Sequence, residues 1–307
     1  MPGAGFVNLF SGSPLKNRCL KLPKLLYNNN GMTEKTGFIK GLELKAGGFR
    51  AEILKMINKA GAGHPGGSLS CIDLLTALYF SKLRVFPEAP DNPGRDRFIM
   101  SKGHASPALY AVLAGRGFFP AAELDRFRKL GALLQGHVHT GVPGVELSTG
   151  SLGQGLSFAN GMALAAKLKG EQHGIYCMLG DGEMQEGQVW EAFLTSAHHK
   201  LDNLCVILDA NKVQQNGLVA EIKNIEPAAG KLKQFGWKVE EIDGHDMAQI
   251  LRALDGFGKE PGRPYFIKAD TIKGKGVSFM ELNPRWHGKA PDDAELAAAL
   301  SELAKWK

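Results

Sequence analysis

The residues best placed to do chemistry in this chain are Asp181, framed by Gly180 and Gly182, and Asn211, thirty positions further on. Asp181 follows the apolar run Ile175-Tyr176-Cys177-Met178-Leu179, and Asn211 follows Leu204-Cys205-Val206-Ile207-Leu208-Asp209. Between the two runs, from about Gln188 to His199, the pattern is helical. Strand, helix and strand in that order set a carboxylate and a carboxamide together at the C-terminal edge of a parallel sheet, where open α/β folds bind ligands. One anionic and one neutral oxygen donor suit Mg²⁺, which favours octahedral oxygen coordination and completes its shell from phosphates and water. The glycines let the backbone approach a phosphate closely. A lone Gly-Asp-Gly turn is common; the rest of the chain gives this one its weight.

Four further loops combine histidine with glycine: Gly63-His64-Pro65-Gly66, Ser101-Lys102-Gly103-His104-Ala105, Gly136-His137-Val138-His139 and Arg285-Trp286-His287-Gly288. A fifth, Ser148 to Gly155, opens a helix whose free N–H groups could meet a phosphate or a cofactor ring. Any single histidine is ordinarily a satisfied loop or core residue. Five Gly-flanked segments, four of them carrying His, are hard to explain by packing, because glycine costs backbone entropy. His139, His173, His198, His199 and His245 keep the ordinary reading. Lys273 and Lys275, in Thr271-Ile272-Lys273-Gly274-Lys275-Gly276, lack P-loop spacing. They suit an ordering loop near a site entrance, and one lysine facing solvent is equally compatible.

These loops need a scaffold. From Gly37 to Ala60 the spacing of Leu42, Leu44, Phe49, Ile53, Leu54, Met56 and Ile57 predicts a helix, ended by a loop over Gly61–Ser68. Further helices are expected at Cys71–Ser81, Ser106–Gly115, Ala121–Lys129 and Gly155–Leu168, and later near 188–199, 228–235, 247–256 and 292–305. Strands are expected at 175–179, 204–209, 237–242 and 264–269. Strands alternating with helix-length segments mean an α/β fold, a parallel sheet with helices on both faces, here as one domain over 34–307.

Composition narrows the function classes. The chain is 44% apolar, and no stretch approaches a membrane span. Its net charge of +6 is concentrated: residues 1–31 carry Lys16, Arg18, Lys21 and Lys24 and no acid. The remainder is close to neutral, so no face is built to track nucleic acid. The four cysteines show no CxxC spacing, which disfavours a disulfide framework or a zinc site and suits a reducing cytoplasm. Residues 1–33 lack the apolar run of a signal peptide. They are expected to form a basic, disordered extension, with Met32 a sensible alternative start.

The segments GHPGGSLS, SKGHASPALY, PGVELSTGSLGQGLSFANGMALA, GDGEMQEGQVWEA and DTIKGKGVSFMELNPRWHG together resemble transketolase, in its N-terminal third to half. The resemblance runs from about Thr36 to Lys289 with the motifs in family order. It implies the thiamine diphosphate-binding fold, specifically the diphosphate-binding domain, with thiamine diphosphate and Mg²⁺ as cofactors. Asp181, Asn211 and the main-chain carbonyl of Val213 would then hold the metal. Gly182, His104 and His287 would contact the diphosphate, with Gly180 and Glu183 in the same turn. Gly150 and Leu152 would touch the cofactor rings. His64, His104, His137 and His287 would surround the reactive carbon and handle substrate protons, work suited to imidazole with its near-neutral pKa. Glu186 resembles an acid at the subunit interface beside the partner's catalytic glutamate; an ordinary helix N-terminal acid, favoured by the dipole, is the competing reading.

The implied reaction moves a two-carbon ketol unit from a ketose phosphate to an aldose phosphate, as in the pentose phosphate pathway. Transketolases carry two further domains, which supply the activating glutamate. The expectation is therefore the N-terminal subunit of a split enzyme, inactive alone and paired in an α₂β₂ heterotetramer with a C-terminal subunit. The alternatives are a transketolase-like enzyme for an unusual sugar and a non-catalytic scaffold of the same fold. The α chain of a 2-oxo acid dehydrogenase shares the Gly-Asp-Gly and Asn unit but not the histidine loops, and the resemblance to deoxyxylulose-phosphate synthase weakens around 101–115.

Overall fold

Strands covered by helices on both faces read as near-continuous apolar runs, and the central strands of this protein do, with Asp209 near the end of β3 the exception taken up below. The computed structural model describes residues 29–306, of which Phe38 onward belong to a single unit. Five strands, β1 (Arg97–Met100), β2 (Ile175–Gly180), β3 (Leu204–Ala210), β4 (Lys238–Asp243) and β5 (Tyr265–Asp270), form one all-parallel sheet in the order β1-β2-β3-β5-β4. β2 and β3 are buried at every position, whereas β4, at one edge, reads Lys-Val-Glu-Glu-Ile-Asp and is half-exposed. The four-residue β1 at the other edge has no counterpart in the sequence-based reading, being too short to show a period.

The helices are α1 (Asn29–Ala60), α2 (Pro65–Ala77), α3 (Ser106–Arg116), α4 (Gly155–Leu168), α5 (Gly187–His198), α6 (Val219–Ile222), α7 (Ala228–Gln234), α8 (Met247–Gly256) and α9 (Asp293–Leu303). Alternate strand residues point to opposite faces and build two cores. Tyr176, Met178, Cys205, Ile207 and Ile267 pack with α2, α3 and α8. Ile175, Cys177, Leu179, Val206, Leu208 and Phe266 pack with α4, α5 and α7. The layering follows from right-handed crossovers: the path β2 to β3 to β4 advances across the sheet, and β4 to β5 steps back, so α8 lies opposite α5 and α7. The chain leaving β1 leads to α3 on one face and that leaving β2 leads to α5 on the other. The C-terminal ends of β1 and β2 therefore flank a switch point, the crevice where such sheets bind ligands.

Three expectations need correction. The Pro65–Ser68 segment, read as loop, is the first turn of α2, because Pro65 sits at the helix start where its missing N–H costs nothing. Its Gly66 is required by proximity: a Cβ there would stand 2.9 Å from the carbonyl oxygen of Trp286. The helix expected at Ala121–Lys129 is a 3₁₀ segment, Ala121–Arg126. Of the expected disordered extension, residues 1–28 lie outside the described residues, and 29–33 belong to α1.

Candidate active site

Four strand ends and the start of α2 supply the site. After β1, Lys102 turns inward, 1% exposed; its Nζ donates to the Gly67 carbonyl at 2.8 Å and pairs with Asp209. The next residue must be glycine, since a Cβ at Gly103 would lie 2.5 Å from the Thr149 carbonyl oxygen. After β2, Asp181 accepts hydrogen bonds from the backbone N–H of Gly182 at 2.8 Å and of Lys212 at 2.5 Å. After β3, the Asn211 amide donates to Asp209 Oδ2 at 3.1 Å and Ser70 Oγ at 3.4 Å. That fixes the amide's orientation and leaves Oδ1 as its acceptor, 3.3 Å from the Val213 N–H. After β5, Lys273 Nζ donates to the Val213 carbonyl and to His287 Nδ1, both at 2.8 Å.

Lys102, Asp181, Asn211, Val213 and Lys273 line a pocket of about 350 Å³ that also contains the other expected cofactor, metal and catalytic residues, whereas Lys275 lies outside it. His64, His104, His137 and His287 come from four separate loops yet converge. His64 is 5.2 Å from His104, 5.9 Å from His137 and 5.3 Å from His287, measured between ring centroids. Gly150 and Leu152 form one wall, and Gly180, Gly182 and Glu186 border the Asp181 side. A larger hollow of about 650 Å³ opens at the opposite strand ends, around Arg84, His173 and Asn203. Its cations are already matched, Lys167 with Asp202 and Arg84 with Asp96, so the smaller pocket is the better candidate.

Glu183, expected from the sequence to serve the cofactor, lines the pocket and is also bonded to protein. Its carboxylate is 2% exposed and accepts from Ser101 Oγ, from the Gly153 N–H at 2.9 Å and from the Gly180 N–H at 3.1 Å. The side chain ties three pocket loops together and leaves little to offer a ligand. The sequence-based reading missed Asp209, which is fully buried between Lys102, Ser70, Thr271 and Asn211. It also left Lys273 undecided; the structure buries it, 2% exposed. An acid in an otherwise apolar strand was the available signal for Asp209. His139 and His245 fit the ordinary reading of partnered side chains.

Burial sets the protonation states. It pushes His64 down to about 4, aided by His137, Arg128 and Lys273, and His287 down to about 3, aided by Lys273. It also holds His104 well below the usual range and lowers His137. All four rings are therefore neutral at pH 7, each with one donor and one acceptor nitrogen. His287 accepts at Nδ1 from Lys273, which puts its proton on Nε2. Burial and the nearby Lys102 lower Lys273 to about 8, the mark of a cation short of negative partners. Burial and the Asp209 charge raise Asp181 to about 6, against the two N–H bonds it accepts.

Among the described residues no group of three or more His, Cys, Asp or Glu is arranged for a metal. The set that does line the pocket is a carboxylate, a carboxamide oxygen and a main-chain carbonyl, with one formal charge. That chemistry fits a hard cation sharing its shell with phosphate oxygens. A diphosphate would likewise supply the anion that Lys273 lacks. The Nδ1 atom of His64 is buried without a hydrogen-bond partner, an acceptor or donor awaiting a ligand. The pocket thus fits both a divalent cation and a phosphorylated cofactor.

Residues 44–306 match the family described as transketolase, thiamine diphosphate binding domain. The chain belongs to the transketolase family. It is 40% identical over 267 residues to an apulose-4-phosphate transketolase subunit of Phocaeicola vulgatus, covering 87% of this chain and 95% of that one. It is 42% identical over 265 residues to the 6-deoxy-6-sulfo-D-fructose transketolase subunit SqwG of a Clostridium species, covering 86% and 96%. Against the transketolase of Campylobacter jejuni the fold superposes with a TM-score of 0.82 at 34% identity, over 86% of this chain but 42% of that one. The chain thus spans about two fifths of that solved transketolase and nearly all of the two subunit relatives. Membership of a thiamine diphosphate-binding family agrees with the pocket's chemistry and with the α/β fold.

Proposed function

We propose that this protein is the N-terminal subunit of a two-chain transketolase, transferring a two-carbon ketol unit between sugar phosphates with thiamine diphosphate and Mg²⁺. The observation that carries the proposal is the pocket: four neutral histidines facing a single-carboxylate oxygen set and a buried, under-neutralised lysine. Asp181, Asn211 and the Val213 carbonyl would hold Mg²⁺. Lys273, His104, His287 and the Gly182 N–H would hold the diphosphate, and Gly150 and Leu152 would contact the rings. The bound cofactor supplies the electron sink for cleaving and forming the carbon–carbon bond. The chain's own residues position and exchange protons: neutral His64 and His137 can donate to or accept from substrate hydroxyls without carrying charge into the pocket. Glu186, at the pocket border, is assigned to the interface with the second subunit.

The pairing with a separate C-terminal subunit, in an α₂β₂ assembly, draws support from relatives that are named as subunits and matched over nearly their full length. The sugars for which those relatives are named, apulose 4-phosphate and a sulfo-sugar, favour a second reading in which the sugar is an unusual ketose rather than a pentose phosphate pathway intermediate. No helix among the described residues is long and apolar enough to cross a membrane. Cys71, Cys177 and Cys205 are buried free thiols, which supports a cytoplasmic placement. The test is ketol transfer from xylulose 5-phosphate to ribose 5-phosphate, with the chain alone and with a transketolase C-terminal half from the same genome. Activity in the mixture only is expected. Cofactor binding without turnover points to the unusual ketose, and no cofactor binding by the mixture refutes the proposal.

A further inference from the structure

His245 reaches the pocket indirectly, through the loop that carries Lys273. Its Nε2 accepts the Ile272 N–H at 2.9 Å, so the ring proton sits on Nδ1, which donates to Asp73 Oδ2 at 2.7 Å. Asp73 in turn takes both terminal nitrogens of Arg50, at 2.9 and 2.5 Å, and the Arg50 Nε donates to the Lys275 carbonyl at 3.1 Å. Arg50 and Asp73 are almost wholly buried and His245 is largely so, with side-chain exposures of 1%, 8% and 12%. The loop is therefore pinned at the N–H of residue 272 and the carbonyl of residue 275, one on each side of Lys273. Those pins come from α1, α2 and the turn after β4, none of which lines the pocket at those residues.

The geometry points to His245 as a positioning residue, held in one tautomer by the Asp73–Arg50 pair, that fixes Lys273 where it meets the cofactor's diphosphate. Lys273 is also held directly, its N–H on the Asn211 carbonyl at 3.4 Å and its carbonyl on the Leu282 N–H at 2.9 Å; the clamp adds the two flanking anchors, and loosening them frees the loop to shift the ammonium. The clamp fixes the backbone that carries the lysine at the cost of no pocket volume, as outer-shell partners do for metal ligands. It leaves the ammonium, on the Val213 carbonyl in the cofactor-free pocket, to turn to the diphosphate when Mg²⁺ takes that carbonyl. This inference rests on the proposed role of Lys273 toward the diphosphate.

The test compares His245→Phe, which removes the acceptor, with His245→Gln, whose amide oxygen can still accept from Ile272. Amide hydrogen exchange is read on the cofactor-free chain, and cofactor affinity on the assembled enzyme. Exchange over residues 271–276 should quicken roughly tenfold or more in His245→Phe, since a buried N–H loses its partner, while β5 and α2 keep wild-type rates. His245→Gln should restore most of the protection. The assembled His245→Phe enzyme should bind thiamine diphosphate more weakly by a similar factor and keep its kcat at saturation. Unchanged exchange over 271–276, or equal loosening throughout the fold, overturns the inference. If His245→Phe does not fold, Asp73→Asn replaces it, and the same local quickening is required. Wild-type enzyme that binds no cofactor would instead defeat the proposed function, and the exchange comparison would still decide the clamp.

Discussion

Replacing Glu183 by glutamine tests whether this acid serves the fold or a ligand. One carboxylate oxygen accepts from Ser101 Oγ and the Gly153 N–H, the other from the Gly180 N–H. Glutamine can keep its carbonyl oxygen on the first pair only by turning its NH₂ toward Gly180, where nitrogen would face nitrogen at about the present 3.1 Å. One buried N–H is then unsatisfied, costing about 1–3 kcal/mol, and two charge-assisted bonds become neutral ones, for another ~1 kcal/mol. Burial raises the Glu183 pKa while its three donors oppose the rise, so the exchange is not between equals. With ~2 °C per kcal/mol for a domain of this size, Glu183→Gln should lower the melting temperature of the cofactor-free chain by roughly 4–8 °C. Differential scanning calorimetry without cofactor reads it directly. A Glu183→Gln chain that melts within a degree of wild type, yet no longer binds thiamine diphosphate in the assembled enzyme, would refute the latch and return Glu183 to the ligand.

Lys273→Met should separate stability from binding: the cofactor-free chain should melt higher, because a desolvated ammonium is removed, while the assembled enzyme binds thiamine diphosphate at least about tenfold more weakly by calorimetry. Asp181→Asn takes the only acid from the metal set, so titration of the assembled enzyme should show Mg²⁺-dependent cofactor binding weakened by roughly tenfold or more. The cofactor-free chain should lose stability as pH falls from about 6.5 to about 4. Over that range His64 and His287 take up protons in the unfolded chain but resist them in the fold; Asp181, raised to about 6, works the other way, but two histidines outweigh one acid, so stability rises with pH. A melting temperature that is flat across this window in wild type, or equally steep in a His64→Asn/His287→Asn double variant, would contradict the assignment of neutral rings.

Much of the site was readable because its chemistry sits on short, contiguous motifs. Asp181 and Asn211 follow apolar runs that could only be buried strands, so their place at the sheet's C-terminal edge follows from strand order alone. The histidine loops announced themselves by glycine, which packing does not favour. The start of α2 looks like a loop in the sequence because of Gly66 and Gly67, and the reason for Gly66, the close passage of the Trp286 backbone, is visible only in the fold. β1 was missed because four residues are too few to show a period.

Sequence alone therefore sufficed for the fold class, for four of the five strands and for the Asp181, Asn211 and histidine loops that line the pocket. Three-dimensional packing was needed to show which of two lysines turns inward, that the Glu183 carboxylate accepts from Ser101, Gly153 and Gly180, and that His245 reaches the site through a backbone N–H. Each of these depends on partners tens to hundreds of positions away, such as Asp73 beside His245 or Gly153 beside Glu183. A long polar side chain has favourable partners in water and in protein alike, so its own sequence neighbourhood cannot fix where it points; the packed surroundings do, by removing the water.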